Sequence, residues 1–546
     1  MKVAEAVGRA LSAAGVDHVF GVVGSGNFHL TNAMVAAGSR FVAARHEGGA
    51  ATMADAYARM SGKVAALSVH QGPGLTNAMT GIAEAAKSRT PLLVLAAEVT
   101  EPRSNFHIDQ EALARAVGAV TARVTAAEDA LEQACAAVRR ALHERRTVLL
   151  NLPLDVQALE VGDDAPVLAA PPPARAAAEP KAAEAAALVG MLEESRRPVF
   201  VAGRGSRTPG SRDALAALAD RYGALLATSA VARGLFRGDP WSLDVSGGFA
   251  SPLAAELIQG ADLIVGWGCA LNMWTMRHGR LIGPDATVVQ VDDDASALGA
   301  HRELHLGVTG DVELTARRAL EMAGGHRDGY RTADIAAAIA ARVRWRDEPY
   351  EDESSRERID PRTLSIVLDD ILPAERVVGV DSGNFMGYPS MYLSVPDQDG
   401  FCFTQAFQSI GLGLATAIGA ALAQPQRLPV AALGDGGALM SAVELDTVRR
   451  LGLPMAVVVY NDDAYGAEVH HFGPDGHPLD SVTFPPTDIA AVARGYGFEA
   501  VTVRTRADLK AVEDWVAGPR SVPLLIDAKV AGDRGAWWLE EAFRGH

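Results

Sequence analysis

AALGDGGALMSAVELDTVRRLGLPMAVVVYNDDAYG, residues 431–466, runs from apolar strand through glycine turn and helix to a second apolar strand, and its reading decides the fold. The strand from Pro429 to Leu433 leads to Asp435. There Gly434, Gly436 and Gly437 let the backbone turn tightly and offer its N–H groups to an anion. A helix is expected from near Ala438 to about Arg450, its unpaired N–H groups and positive dipole end favouring a diphosphate. Gly452 and Pro454 stop it, and a buried strand from Met455 to Tyr460 delivers Asp462 to the same sheet edge. The 27-residue step from Asp435 to Asp462 is one strand–helix–strand crossover between parallel strands.

A carboxylate at the end of each of two parallel strands suits a hard divalent cation that also takes phosphate oxygens, and Mg²⁺ fits. A lone GDG also fits an ordinary strand–turn–helix corner with a solvated aspartate. The whole segment resembles the thiamine-diphosphate motif, GDG followed after about two dozen residues by Asn or Asp, of enzymes similar to acetolactate synthase, pyruvate decarboxylase and benzoylformate decarboxylase. The resemblance implies metal ligation by Asp435, Asp462 and the carbonyl of Ala464, with the amides of the GDGG turn on the diphosphate. Asn is the more frequent second ligand in that family, so Asp462 is the acidic variant. The register of Tyr465 and Gly466 favours it over Asn461. Ser382, Gly383 and Tyr465 join the implied cofactor-binding set.

At 546 residues the chain is too long for one core, and two to four domains are expected. Apolar residues at 49% with 6% aromatics describe an Ala/Val/Leu-rich globular protein. A net charge of −17 argues against a nucleic-acid or anionic-membrane surface, and no apolar run reaches membrane-spanning length. Cys135, Cys269 and Cys402 are too scattered for a disulfide framework or zinc motif and suit a reduced, cytoplasmic setting. The N-terminus reads as an amphipathic helix and a strand, since Glu5, Arg9 and Asp17 interrupt any signal-type run.

Two composition breaks, the proline-rich 165–180 and the charged 324–360, leave modules at 1–164, 181–323 and 360–546. Each alternates strands and helices, giving an α/β protein of three doubly wound parallel sheets. Expected strands are Val19–Val23, Val64–Val69, Leu92–Ala96 and Val148–Leu152 in the first module. PVFVAG, ALLATS, ADLIVGWG and TVVQVD supply the second, and Val377–Val380, Val430–Leu433, Met455–Tyr460 and Leu524–Asp527 the third. Alanine-rich 177–190 and 333–342 are compatible with helices. The order resembles the pyrimidine-binding, central and diphosphate-binding domains of the acetolactate-synthase-like group over nearly the whole chain.

RHEGGAATMADAYARMSG, residues 45–62, sets Glu47 before a helix rich in small residues. By spacing alone it is a first-turn acid at a helix N-terminus. The segment resembles the family's cofactor-activating glutamate, which implies a hydrogen bond from Glu47 to the aminopyrimidine ring and a share in removing the proton at the thiazolium carbon. QSIGLGLATAIGA, residues 408–420, matches the region that bends the cofactor. Ile410 is then the stiff wedge beneath it, and the carbonyl of Gln408 accepts from the amino group, at a position where relatives commonly have glycine.

Around the reacting carbon the sequence offers Ser25 in GVVGSGNFHL, His70 and Gln71 in SVHQGPGLTNAM, Gln110 and Glu111 in HIDQEALA, and Glu468 in AYGAEVHHF. Ser25 and His70 resemble the active-site serine and histidine of benzoylformate decarboxylase, and Glu468 the acidic residue of pyruvate decarboxylases. Acetolactate synthases usually lack that His and Glu. VAGRGS (201–206) and GWGCALNMWTM (266–276) stand where relatives bind FAD, ADP or coenzyme A. No flavin is expected, and one bound there would be non-redox.

The resemblance implies a thiamine-diphosphate and Mg²⁺-dependent lyase or carboligase acting on a small-molecule 2-oxo acid, acetolactate synthase-like. Alternatives are a 2-oxo acid decarboxylase of the pyruvate or benzoylformate type, a 2-hydroxyacyl-CoA lyase, or a non-catalytic cofactor-binding regulatory homologue. Intact Glu47, Asp435 and Asp462 argue against the last. The motifs for the two ends of the cofactor are nearly four hundred residues apart on separate modules, so a homodimer or homotetramer is expected.

Overall fold

The structure is a computed structural model that describes residues 1–162, 171–173, 175–532 and 534–539. Within them the chain forms three six-stranded parallel sheets. The first contains β1 (His18–Gly21), β2 (Arg40–Ala43), β3 (Ala65–Val69), β4 (Leu92–Glu98), β5 (Val120–Arg123) and β6 (Thr147–Pro153) in the order β2-β1-β3-β4-β6-β5. The second contains β7 (Pro198–Ala202), β8 (Leu225–Thr228), β9 (Ser242–Val245), β10 (Leu263–Trp267), β11 (Thr287–Asp292) and β12 (Leu306–Thr309), ordered β12-β11-β10-β7-β8-β9. The third contains β13 (Arg376–Val380), β14 (Phe401–Phe403), β15 (Leu428–Gly434), β16 (Ala456–Asn461), β17 (Glu499–Val503) and β18 (Leu524–Lys529). Its order, β14-β13-β15-β16-β18-β17, repeats that of the first.

The inner four strands of each sheet are the twelve that the sequence marks. The other six, β2, β5, β9, β12, β14 and β17, are the two edges of each sheet. Inner strands are covered on both faces and read as continuous apolar runs. The edges are only partly covered, as in β5 (VTAR) and β17 (EAVTV), and their mixed composition resembles loop. The expected helices near 177–190 and 333–342 form as Ala182–Glu194 and Ala333–Arg342. Of the expected linker 165–180, residues 165–170 and 174 lie outside the described residues.

The single helix expected from Ala438 to Arg450 is two. A short helix, Asp435–Met440, starts at the aspartate itself, and a 3₁₀ turn, Ala442–Glu444, leads to a second, Leu445–Leu451. Ser441 turns its hydroxyl back onto the carbonyl of Gly437 at 2.8 Å, a local bond that competes with helix continuation. Glu444 is thereby brought against the N-terminal domain. Gly452 ends the second helix in the left-handed conformation, φ +64°, which glycine adopts without penalty.

Helices Glu47–Ser61 and Gly413–Ala423 join the first and third domains. Ala50, Ala51 and Ala54 of the first helix and Ala415, Ala417 and Ile418 of the second belong to one hydrophobic core that runs across the domain boundary. At the closest point a Cβ on Gly419 would lie 2.2 Å from the carbonyl oxygen of Met53. Gly419→Ala is therefore expected to cost about 1–3 kcal/mol through forced separation of the helices. Urea denaturation checks this, and unchanged stability would show that the seam can widen freely.

Candidate active site

The glycine corner lies at the carboxyl edge of the third sheet. β15 and β16 pair in register with Gly434 opposite Tyr460, so Asp435 and Asp462 leave adjacent strands side by side. Burial pushes the Asp435 carboxyl up to about 8, and the neighbouring Asp462 carboxyl adds to the rise. Burial likewise pushes Asp462 up to about 6, against backbone N–H groups, including that of Ala464, that pull it down. Two acids facing each other in a poorly hydrated corner are a donor set that a divalent cation would relieve. Asn461, by contrast, spends both ends of its amide within the fold. It donates to Asp527 at 2.9 Å and accepts from the Asp463 N–H at 3.1 Å.

Each glycine of the turn has a close neighbour. A Cβ on Gly436 would meet the Tyr465 ring at 2.5 Å, and one on Gly437 would meet an Asp381 carboxylate oxygen at 2.1 Å. Tyr465 packs edge-on against Phe484, ring centroids 4.9 Å apart. A cleft lined by Asp435, Gly436, Met440, Asp463, Tyr465 and Phe484 opens beside the corner.

Asp381 is a central residue of the site that the sequence reading missed. It follows β13 as Asp435 follows β15, a strand-end acid that could have been noticed. Fully buried, it accepts N–H groups from Ser382 at 2.8 Å, Gly411 at 3.0 Å and Leu412 at 3.2 Å. Burial pushes its carboxyl up to about 6 even against these bonds. It thus fixes the backbone immediately after Ile410, which is half-buried. Gln408 has φ +60°, the left-handed region that glycine adopts more readily, so the larger side chain stands in a glycine-like conformation. Gly383 has φ +132°, a backbone conformation that residues with side chains rarely adopt.

The other group of predicted residues lies at the carboxyl edge of the first sheet. Glu47 opens its helix and accepts from the Asn77 amide at 3.1 Å. Glu444 of the third domain accepts from the N–H groups of Arg45 at 3.1 Å and His46 at 3.0 Å, holding the chain that leads into Glu47. Ser25 Oγ and His70 Nε2 are 3.4 Å apart. His70 Nδ1 lies 3.0 Å from the carbonyl of Gln71, which can only accept, so Nδ1 carries a proton and a neutral ring leaves Nε2 as the acceptor facing the Ser25 hydroxyl. The approach depends on glycine, since a Cβ on Gly24 would meet the His70 ring at 2.3 Å. Phe106 packs edge-on against that ring, centroids 5.3 Å apart.

Gln110 is buried, and its amide is engaged within the domain. It donates to Asn151 at 2.8 Å and to the Ala97 carbonyl at 3.2 Å, and it accepts from the Gly72 N–H at 3.3 Å. That arrangement supports the loop after His70. Glu468 is exposed in the first turn of helix Gly466–Phe472, four residues beyond Ala464.

In the second sheet β7 and β10 are neighbours where the strand order reverses, the usual place for a nucleotide crevice. The loops after them hydrogen-bond to each other across this point. The Gly203 N–H donates to Trp267 at 2.8 Å and the Gly205 N–H to Gly268 at 3.0 Å, while a Cβ on Gly203 would lie 2.3 Å from the Gly268 oxygen. Arg89 and Arg145 of the first domain pair with Asp294 and Asp293 on the loop after β11.

The fold and the paired carboxylates define a class of α/β protein with three parallel sheets and an acidic glycine corner at the carboxyl edge of the last. Three family models match in the same order: the thiamine pyrophosphate enzyme N-terminal binding domain over residues 1–117, the central domain over 185–319 and the C-terminal binding domain over 381–528. The chain belongs to the thiamine pyrophosphate enzyme family. It is 31% identical over 523 residues to a Pseudomonas aeruginosa protein described as a probable 2-ketoarginine decarboxylase, covering 93% of this chain and 90% of the relative. A sulfoacetaldehyde acetyltransferase of Rhodobacter capsulatus is 28% identical, with 99% and 96% covered, and an acetolactate synthase large subunit of Parasynechococcus marenigrum 27%, with 95% and 86% covered. The thiamine diphosphate-dependent 4-hydroxybenzoylformate decarboxylase of Rhodococcus jostii shares the fold at a TM-score of 0.82 and 22% identity, covering 98% of this chain and all of that one. Among the described residues no helix is long and apolar enough to cross a membrane.

The raised carboxyls set a pH dependence in metal-free protein. A folded value of about 8 for Asp435 against an ordinary 3.8 means that the fold favours the protonated form. That contribution is complete below about pH 4 and is lost as pH rises through about 8. The Tm of chelator-treated protein should therefore fall between pH 5 and 9. Asp435→Asn should flatten the fall, and Mg²⁺ should raise the Tm of the parent but not of the variant at pH 8. Identical pH profiles for parent and variant would contradict this electrostatic reading.

Proposed function

We propose that the protein is a Mg²⁺- and thiamine-diphosphate-dependent enzyme that cleaves the C–C bond beside a 2-oxo acid carbonyl and protonates the carbon left behind. The single observation that carries this reading is the Ser25–His70 pair at the carboxyl edge of the first sheet, with a ring nitrogen left to handle a proton. When bound, the cofactor would supply a carbon nucleophile for the 2-oxo carbonyl and an electron sink for the pair released by CO₂ loss. Asp435, Asp462 and the Ala464 carbonyl would hold the metal, and the amides of Gly434–Gly437 the diphosphate. Ser382, Gly383, Gln408 and Tyr465 would line the rest, with Ile410 as the wedge. Glu47, fixed by Asn77, would share a proton with the pyrimidine ring.

His70 and Ser25 would move the proton at the substrate carbon. Glu468 would be a second acid at the mouth, and Gln110 would keep the His70 loop in place. His70→Ala is expected to lower kcat about 100-fold or more, the usual contribution of a positioned acid or base, with cofactor affinity unchanged. Steady-state rates of CO₂ and aldehyde release over a panel of 2-oxo acids check this; undiminished turnover would rule out the proton role. Acyl transfer to a second carbonyl is the other reading, supported by the acetolactate synthase and sulfoacetaldehyde acetyltransferase relatives, and the same panel analysed for ligation products separates the two.

We also propose that two copies complete each site. Val23, Phe28 and Phe106 near the Ser25–His70 pair are exposed, as are Leu439, Met440 and Val443 after the glycine corner, apolar surface of the kind a partner covers. Mixing Glu47→Gln with Asp435→Asn protein, each inactive alone, is then expected to restore activity after subunit exchange. Failure of verified hybrid dimers to do so would place both residues in one subunit's site.

A further inference from the structure

The loop carrying Ile410 is fixed at both ends by buried carboxylates from different domains. Asp381 takes the N–H groups of Gly411 and Leu412 on the downstream side. On the upstream side Glu84, in helix Met79–Lys87 of the first domain, takes the N–H of Ala406 at 3.0 Å and that of Phe407 at 2.6 Å. Arg59, on the helix that starts at Glu47, donates to Glu84 at 2.8 Å and to the Phe403 carbonyl at 3.0 Å, while Asp55 holds its guanidinium through two bonds of 2.8 and 2.6 Å. Ser88 adds a hydroxyl to Glu84 at 3.1 Å. Asp55 and Glu84 are completely buried and Arg59 nearly so. Between the two grips only residues 408–410 lack such a hold, and one of them is the left-handed Gln408.

From this geometry we infer that Glu84, braced by Arg59 and Asp55, is a positioning residue that sets the height of the Ile410 side chain beneath the cofactor. The inference rests on the cofactor reading above. A buried ion pair is weak evidence of stabilisation for its own sake, because an apolar replacement of similar volume is often as stable. Here the pair also presents a charged acceptor to two backbone N–H groups three and four residues before Ile410. An amide at position 84 would keep one acceptor oxygen but would turn an NH₂ group toward N–H or guanidinium donors, releasing one grip without changing the residue's size.

The test compares Glu84→Gln with wild-type protein loaded with Mg²⁺ and thiamine diphosphate. Measured are cofactor Kd by tryptophan quenching, Tm, kcat, KM, and the rate of C2 proton exchange per bound cofactor by mixing into D₂O, acid quench after set times and proton NMR. Exchange and kcat are expected to fall about 10- to 100-fold, the scale of an ångström-level misplacement, with KM little changed. Leu218→Ala, in the core of the second domain, is expected to lower Tm with exchange unchanged, which separates positioning from general destabilisation. If Glu84→Gln does not fold, Ser88→Ala removes one bond to the same carboxylate and is expected to shift exchange less, in the same direction. Exchange equal to wild type in the cofactor-loaded variant overturns the positioning role. Wild-type cofactor that exchanges no faster than free cofactor overturns the functional reading itself.

Discussion

The close packing of helices Glu47–Ser61 and Gly413–Ala423 is the contact on which the other features depend. It requires glycine at position 419, because a backbone carbonyl occupies the space where a side chain there would begin. That closeness lets one hydrophobic core run through two sheets and brings polar groups of each domain within hydrogen-bond reach of the other's backbone. Glu444 reaches from the third domain to the start of the Glu47 helix, and Glu84 reaches from the first domain to the loop before Ile410. A wider seam would break both grips and leave their charges buried without partners, a costly state.

The buried acids do two different things. Asp381, Glu84 and Glu444 accept backbone N–H groups, so they act as fixed points for loops that have no strand or helix to hold them. Asp435 and Asp462 instead oppose one another across neighbouring strand ends, an arrangement that favours protonation or a cation. The same side-chain chemistry thus yields a brace in one setting and a mutually opposed, proton-holding pair in the other, and the difference lies in which partners the register supplies.

Much of this was legible in the chain. The inner strands are long apolar runs, because burial on both faces leaves no polar alternation, and the glycine corner, Glu47 and the His70 segment were visible as motifs. The edge strands were not, since a half-covered strand has the composition of a loop. The division of the helix after Asp435 was also hidden. It arises from the Ser441 back-bond and from Glu444 meeting a segment about four hundred residues away. Asp381 was readable in principle as an acid closing an apolar strand, yet its N–H partners at 411 and 412 are brought to it only by the fold.

By itself the sequence determined the three-sheet α/β architecture and the residue types at each strand end, because periodic burial and tight glycine turns are local properties of the chain. The tertiary structure alone decided which strand ends meet, which nitrogen of His70 carries the proton, and which acids accept backbone N–H groups and which face another acid. Those outcomes depend on distances between segments remote in sequence, and hydrogen bonds and charge pairs change with ångström differences in approach.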